Sequence, residues 1–314
     1  MTLTIVITNH NRPKTILKVL DSIASQKLRE IAVDILIIDD ASSDPIDLRD
    51  LEKYGDVVKL HREDENIGVQ AARNVGAKLA KGDFVLFNDD DDIFIDGALQ
   101  KAFDLIFAFE RWREYEAFGF PRTNALHLPL EKFFIWDEEK SIEYKNNYAH
   151  LGGDFTYILT RKFFDKYPQP FVANDINKRL GAESLGSVAN MKNHSAPFWA
   201  HAIVESGADE KDRLTNYDNA LKKAKEFAAW QQAEIDEIEK SGYKDKIPNY
   251  YNLRIKGLYT YLLLDRRAKE AREVLRKYNL STKIKIILYP ISFLPPEIVL
   301  WLLKIYRKKQ RSLM

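Results

Sequence analysis

Gly82–Asp96 reads GDFVLFNDDDDIFID: an apolar run, Phe84–Phe87, leads through Asn88 into four consecutive aspartates, Asp89–Asp92. The run is short, bounded by glycine and polar residues, and rich in Phe and Val, so it predicts a buried strand with the acids at its carboxyl end. Further strands are expected at Leu3–Thr8, Val33–Ile38, Val57–Leu60 and Tyr115–Phe120. Between them, Lys14–Gln26, Gln70–Ala80 and Ala98–Trp112 carry apolar residues at helical spacing, as with Ile16, Leu17, Leu20 and Ile23. Strands alternating with helices predict an α/β fold with a mainly parallel sheet covered on both faces. Residues 126–148 mix aromatic and charged side chains without a period and read as an irregular segment laid over the sheet. Phe155–Thr160 and Phe198–Val204 are expected to rejoin it as strands. After Asp209 the pattern is helical, with Asn216–Lys240 and Tyr250–Tyr278 as the long pieces. The division expected is therefore 1–208, holding the sheet, and 209–314, a helical C-terminal region.

The 314 residues include no cysteine, which excludes disulfides, thiolate metal sites and cysteine nucleophiles together. The opening Met1–His10 has no basic leader, and no apolar stretch approaches the ~20 residues of a membrane-spanning helix, so a cytoplasmic protein is expected. The net charge of +1 conceals a split. From Arg266 onward there are 13 Lys+Arg and 3 Asp+Glu, a net +10, against a net −9 before it. In KIKIILYPISFLPPEIVLWLLKIYRKKQRSLM (283–314) the basic residues lie among Trp301, Tyr306 and aliphatic ones rather than along a polar groove, which argues against nucleic acid. The pattern suits a segment lying in the interface of an anionic membrane leaflet. The plainer alternatives are a terminal helix packed on its own domain, or on a second copy in a homo-oligomer.

In an open parallel sheet, ligands bind beyond the carboxyl ends of the strands. Three polar clusters stand at such ends: Thr8-Asn9-His10-Asn11, Asp39–Asp44, and Asn88 with its four aspartates. An acidic run is commonly a solvated turn, but holding several carboxylates ionised together is costly without a cation. Mg²⁺ and Mn²⁺ favour such oxygen ligands, often with substrate phosphates. A calcium EF-hand loop fails, because Ile93 and Phe94 stand where a ligand and a glycine are needed.

Five segments in order carry a resemblance: IVITNHNRP, DSIASQ, LIIDDASSD, NIGVQAARN and GDFVLFNDDDD. Over its first ~125 residues the chain resembles the bacterial family 2 glycosyltransferases of the GT-A fold. The resemblance implies a nucleotide-binding half, 1–125, and an acceptor half, 126–208. It implies transfer of a hexose, with inversion and a Mn²⁺ or Mg²⁺ cofactor, from a nucleotide-diphosphate sugar to a saccharide acceptor, lipid-linked or protein-linked. UDP is the favoured carrier, and surface polysaccharide or glycoprotein glycans are the favoured products. It assigns Thr8, Asn11, Asp40, Arg73, Asp89 and Asp90 to the donor, with Arg73 equally readable as a structural ion pair. Asp91 becomes the direct metal ligand, Asp89 a second, and Asp92 the extra acid facing the sugar or bracing the metal. Asn88 departs from the family's apolar residue, as a polar contact or a cap on the turn. Glu183, in RLGAESLGSVANM, is the candidate catalytic base, although Ser184 stands where an aspartate is usual; Asp154 and Asp175 are its rivals. His194 and His201 are candidates for a late metal ligand. A lipid-linked acceptor would place the enzyme peripherally on the inner face of the cell membrane. The alternatives are a sugar nucleotidyltransferase, disfavoured because NHNRP replaces a glycine-rich phosphate loop, or an inactive partner subunit of another transferase.

Overall fold

The structure, a computed structural model, describes the chain except residues 126–130, 152–153, 181–186, 189, 194, 208–219 and 312–314, together with the side chains of 148–151, 177, 179 and 306–311. The first half runs β1 (Thr2–Asn9), α1 (Pro13–Ala24), β2 (Ala32–Asp39), α2 (Leu48–Leu51), β3 (Val58–Arg62), α3 (Val69–Leu79), β4 (Phe84–Asp89), β5 (Ile93–Phe94) and α4 (Ala98–Ala108). There follow β6 (Ala117–Pro121), β7 (Phe133–Trp136), α5 (Glu138–Leu151), β8 (Phe155–Thr160), α6 (Arg161–Lys166), α7 (Asp175–Leu180), β9 (Ala196–Trp199) and β10 (Val204–Glu205). Helices α8 (Ala224–Ser241), α9 (Pro248–Leu264), α10 (Ala268–Lys277), α11 (Thr282–Ile291) and α12 (Pro296–Arg311) complete the chain.

Two compact units result. One holds residues 1–138, 152–178 and 193–209; the other holds 139–151, 179–192 and 210–314. The first is built on an eight-stranded sheet ordered β3-β2-β1-β4-β8-β6-β9-β7, in which β8 and β7 run against the rest. Side chains alternate across it, as strand geometry requires. Leu3, Ile5 and Ile7 of β1, with Phe84 and Leu86 of β4, pack on Ile16, Leu20, Leu99 and Phe103 of α1 and α4. Val6, Ile38 and Val85 face the other way, onto Ala72 and Ala77 of α3. Gly76 lets α3 lie this close: a Cβ there would stand 2.3 Å from the Val6 Cγ1. The sheet covered on both faces matches the fold class expected from the sequence.

Residues 126–148 differ from expectation. They contain β7, an edge strand of the sheet, and most of α5, which belongs largely to the second unit. The stretch 98–112 also yields a shorter helix than its periodicity suggested, ending at Ala108.

The second unit is helical. Tyr250–Tyr278, expected as one helix, is two, because Arg266 takes a left-handed φ of 61° between α9 and α10. The amides of Arg266 and Arg267 donate back to the carbonyls of Leu263 and Leu262, which closes α9. Between α8 and α9 the buried Glu234 forms an ion pair with Arg254, whose Nε lies 2.8 Å away, and accepts from the Tyr250 hydroxyl at 3.1 Å. No helix among the described residues is long and apolar enough to cross a membrane.

Candidate active site at the carboxyl ends of the strands

Strand register brings the three polar clusters level. Asn9 lies opposite Asp39 on β2, and Thr8 lies opposite Asp89 on β4. Asn11, at φ 57°, uses its side-chain oxygen to accept from the amides of Ser43 (2.7 Å) and Asp44 (3.1 Å), which ties the end of β1 to the turn after β2. The buried Asp40 carboxylate accepts from the amides of Ile67 (2.7 Å) and Gly68 (2.9 Å), fixing the entry to α3. Gly68, at φ 85°, is required there: a Cβ would sit 2.6 Å from the Lys178 Cα. Thr8, Asn11 and Asp40 thus share one edge, the latter two as struts of its loops.

The four aspartates alternate in exposure. Asp89 and Asp91 are half-buried, whereas Asp90 and Asp92 are buried. Asn88 braces the turn, its amide donating to the carbonyls of Asp89 (3.0 Å) and Asp92 (2.8 Å), so it acts as the cap on the turn. Three arginines hold the acids. Arg73 contacts Asp89 at 2.6 Å, Arg12 contacts Asp90 at 2.9 Å and Asp91 at 3.1 Å, and Arg122 bridges Asp92 and Asp89. Arg73 therefore makes the ion pair that its sequence context allowed. Asn9 adds a bond to Asp90 at 3.0 Å, and the Gly207 amide donates to Asp92 at 2.9 Å. The two-stranded β5–β10 pairing carries Gly207 to the turn, and a Cβ there would meet the Asp91 carbonyl oxygen at 2.7 Å.

These surroundings split the carboxyl pKa values. Burial pushes Asp92 up to about 7, helped by the Asp89 charge and opposed by Arg122. Burial likewise raises Asp90 to about 6 against the pull of Arg12. Asp89 also feels burial, but Arg73 and Arg122 outweigh it and hold the group down at about 2. One carboxylate oxygen each from Asp89, Asp91 and Asp92 lies within 4.8 Å of the others, the one such grouping of metal-ligating side chains among the described residues. Hard oxygens at this spacing fit Mg²⁺ or Mn²⁺. Four carboxylates against three guanidiniums leave little net charge for a bare cation, so the set fits a cation that arrives with a diphosphate.

Of the candidate bases, Glu183 lies outside the described residues, as does His194. Asp154 is exposed and accepts from Asn124 Nδ2 at 2.8 Å, while its backbone carbonyl takes the Arg122 amide at 2.8 Å. Asp175 is an exposed residue opening α7. His201 lies outside the carboxylate cluster, with Nε2 3.1 Å from the Ala98 carbonyl. Arg12, Arg122, Asn9 and Gly207 also hold the acidic turn, with no role expected for them from the sequence. Arg12 and Asn9 stand inside the quoted NHNRP segment, whereas Arg122 and Gly207 come from distant stretches without a local signal.

Residues 4–112 match the model of glycosyl transferase family 2. The glycosyltransferase YwdF of Bacillus subtilis is 27% identical over 168 residues, which cover 53% of this chain and 59% of that relative's length. Staphylococcus aureus TarS solved with UDP-GlcNAc superposes with a TM-score of 0.53 at 18% identity, covering 86% of this chain and 83% of the other. The mannosyltransferase PcManGT of Pyrobaculum calidifontis, solved with GDP-Man and Mn²⁺, gives 0.56 at 14% identity over 98% of this chain and 83% of its own. Family model, relatives and fold agree with the motif order and with the acidic turn at the sheet edge: residues 4–112 form a domain of the glycosyl transferase family 2 type, on a fold shared with the solved transferases TarS and PcManGT.

Proposed function

We propose that the protein is a metal-dependent, inverting hexosyltransferase that uses a UDP-linked sugar and a saccharide acceptor in surface polysaccharide or glycoprotein glycan synthesis. The observation that carries this reading is the alternation of the four aspartates. Asp89 and Asp91 are half-buried at the strand end, while Asp90 and Asp92 are buried, and arginines contact all four. Asp91 and Asp89 would hold the cation, with Asp92 beside them. When bound, the cation offsets the charge that grows on the departing diphosphate.

The chain's own part is positional and electrostatic. The loops tied by Asn11 and Asp40 form the edge where the nucleotide would lie. Arg12, Arg73 and Arg122 aim the carboxylates, and Arg73 with Arg122 keeps Asp89 ionised. A general base takes the proton from the acceptor hydroxyl as that oxygen bonds to the anomeric carbon. The bond from that carbon to the diphosphate oxygen breaks on the opposite face, and the nucleoside diphosphate leaves. We assign the base to Glu183, with Asp154 and Asp175 as competitors. The acceptor is placed at a lipid surface, with the basic C-terminal helices holding the enzyme on the inner face of the cell membrane.

Isothermal titration of UDP with Mn²⁺ tests the metal assignment: Asp91→Ala should lose metal-dependent affinity while remaining folded. Unchanged affinity would remove Asp91 from the site. For the base, Glu183→Gln should retain donor binding and lose ~10²–10⁴-fold in turnover. A loss confined to Asp154→Asn or Asp175→Asn would transfer the role.

A further inference from the structure

The last three helices of the second unit carry an apolar surface that the fold leaves open. Eight of the fourteen exposed large apolar residues in the described chain fall within 286–305. Helix α11 buries none of its own residues. Ile286, Tyr289 and Phe293 recur at i, i+3 and i+7, and so do Ile298, Trp301 and Ile305 along α12, whose Val299 and Leu300 are buried. Single exposed apolar side chains are ordinary, but two helical stripes in succession mark an interaction surface.

A groove of about 460 Å³ runs beside this surface, between α10 and α11. The lining is almost wholly apolar, from Leu275, Ile286, Tyr289 and Pro290 together with the aliphatic stems of Arg272, Arg276 and Lys285. Arg272 is held in place, lying 5.2 Å over the Phe293 ring and donating to the Ser292 carbonyl. We propose that α10–α12 form a bilayer-docking face, in which this groove takes apolar parts of an anionic phospholipid, Arg276 and Lys285 meet its phosphate, and Phe293 and Trp301 enter the acyl boundary. The inference deepens the membrane location proposed above and rests on it. Charge identifies the occupant: 13 Lys+Arg against 3 Asp+Glu after residue 265 oppose a basic partner, and apolar and aromatic residues set among cations suit the headgroup region.

Co-sedimentation of the full chain with phosphatidylcholine vesicles, with and without phosphatidylglycerol, tests the proposal. Each basic residue at an anionic surface contributes about 5-fold in partitioning at low salt. Arg276→Gln with Lys285→Gln, two side chains away from the buried core, should therefore weaken binding to phosphatidylglycerol vesicles about 10- to 30-fold. The control, Lys222→Gln with Lys225→Gln on exposed positions before and in α8, should bind as the unaltered protein does. Phe293→Ser with Trp301→Ser should remove the binding that survives high salt. If the groove pair and the control behave alike while the unaltered protein binds, the groove assignment is overturned and the membrane location stands. If the unaltered protein ignores both vesicle types, the membrane location itself fails. A dimer in solution broken by Phe293→Ser with Trp301→Ser, without vesicle uptake, would give the face to a second copy.

Discussion

Arg122→Met removes one guanidinium from between two carboxylates and keeps most of the side-chain stem. In the folded protein Arg122 bridges Asp92 and Asp89, and its Nε also donates to the Thr156 hydroxyl at 3.2 Å. Asp89 keeps Arg73, but the Asp92 side chain, 4% exposed, keeps among the described residues the Gly207 amide alone as a hydrogen-bond donor. Losing one partner of a buried pair costs about 3–5 kcal/mol while the other stays ionised. Asp92 can escape much of that cost by taking a proton, so the penalty depends on pH. Its folded pKa, about 7, already lies above the unfolded value, so its contribution to stability falls as pH rises through about 4 to 7. Without Arg122 the folded pKa rises further, and the fall continues above 7. At pH 5.5 the group is protonated in both proteins, and the loss shrinks to hydrogen bonds of about 1–2 kcal/mol. The gap between variant and unaltered protein should therefore widen by about 2–3 kcal/mol between pH 5.5 and 8.5. At about 2–4 °C per kcal/mol, that is roughly 4–12 °C in Tm. Thermal melting followed by circular dichroism at the two pH values is the assay. A gap of the same size at both would refute the claim that Arg122 compensates an ionised, buried Asp92.

Gly207→Ala should push Asp91 aside, since the new Cβ would meet its carbonyl oxygen at 2.7 Å and its Cγ at 2.8 Å. We expect about 1–3 kcal/mol of destabilisation and a drop in turnover, and kinetics with intact melting behaviour would separate the two. Arg12→Gln frees Asp91 and Asp90 from a competing cation, so Mn²⁺ alone should bind about 5-fold tighter in a calorimetric titration, the scale of one half-exposed ion pair. Weaker binding would mean that Arg12 positions the carboxylates rather than competes for them. Asn88→Ala removes two hydrogen bonds inside the acidic turn and should cost about 1–3 kcal/mol by urea denaturation.

The fold was legible where signals are local. Short apolar runs at β1, β2 and β4, each followed by a polar cluster, point to the sheet edge, where the structure brings those clusters level. The stretch 126–148 was opaque for two reasons. Strand β7 lies at the sheet's far end, where Phe133 stays exposed beside the buried Phe134, and α5 spreads its apolar residues around the helix. The break at Arg266 could not be read because an arginine gives no notice of a left-handed φ, unlike glycine. The aspartates were legible as a contiguous run. Their clamps were not, because Arg122 and Gly207 reach the turn only through the pairing of β6 with β8 and of β5 with β10. Sequence spacing carries no trace of such encounters.

Release of nucleoside diphosphate from a panel of nucleotide sugars, with Mn²⁺ or with EDTA, measures the central claim most directly. A UDP-linked hexose should release nucleoside diphosphate in a reaction that needs the cation, stops in EDTA, and is lost in Asp91→Ala while the variant keeps its melting temperature. Release that proceeds equally in EDTA, or survives Asp91→Ala, would contradict that claim.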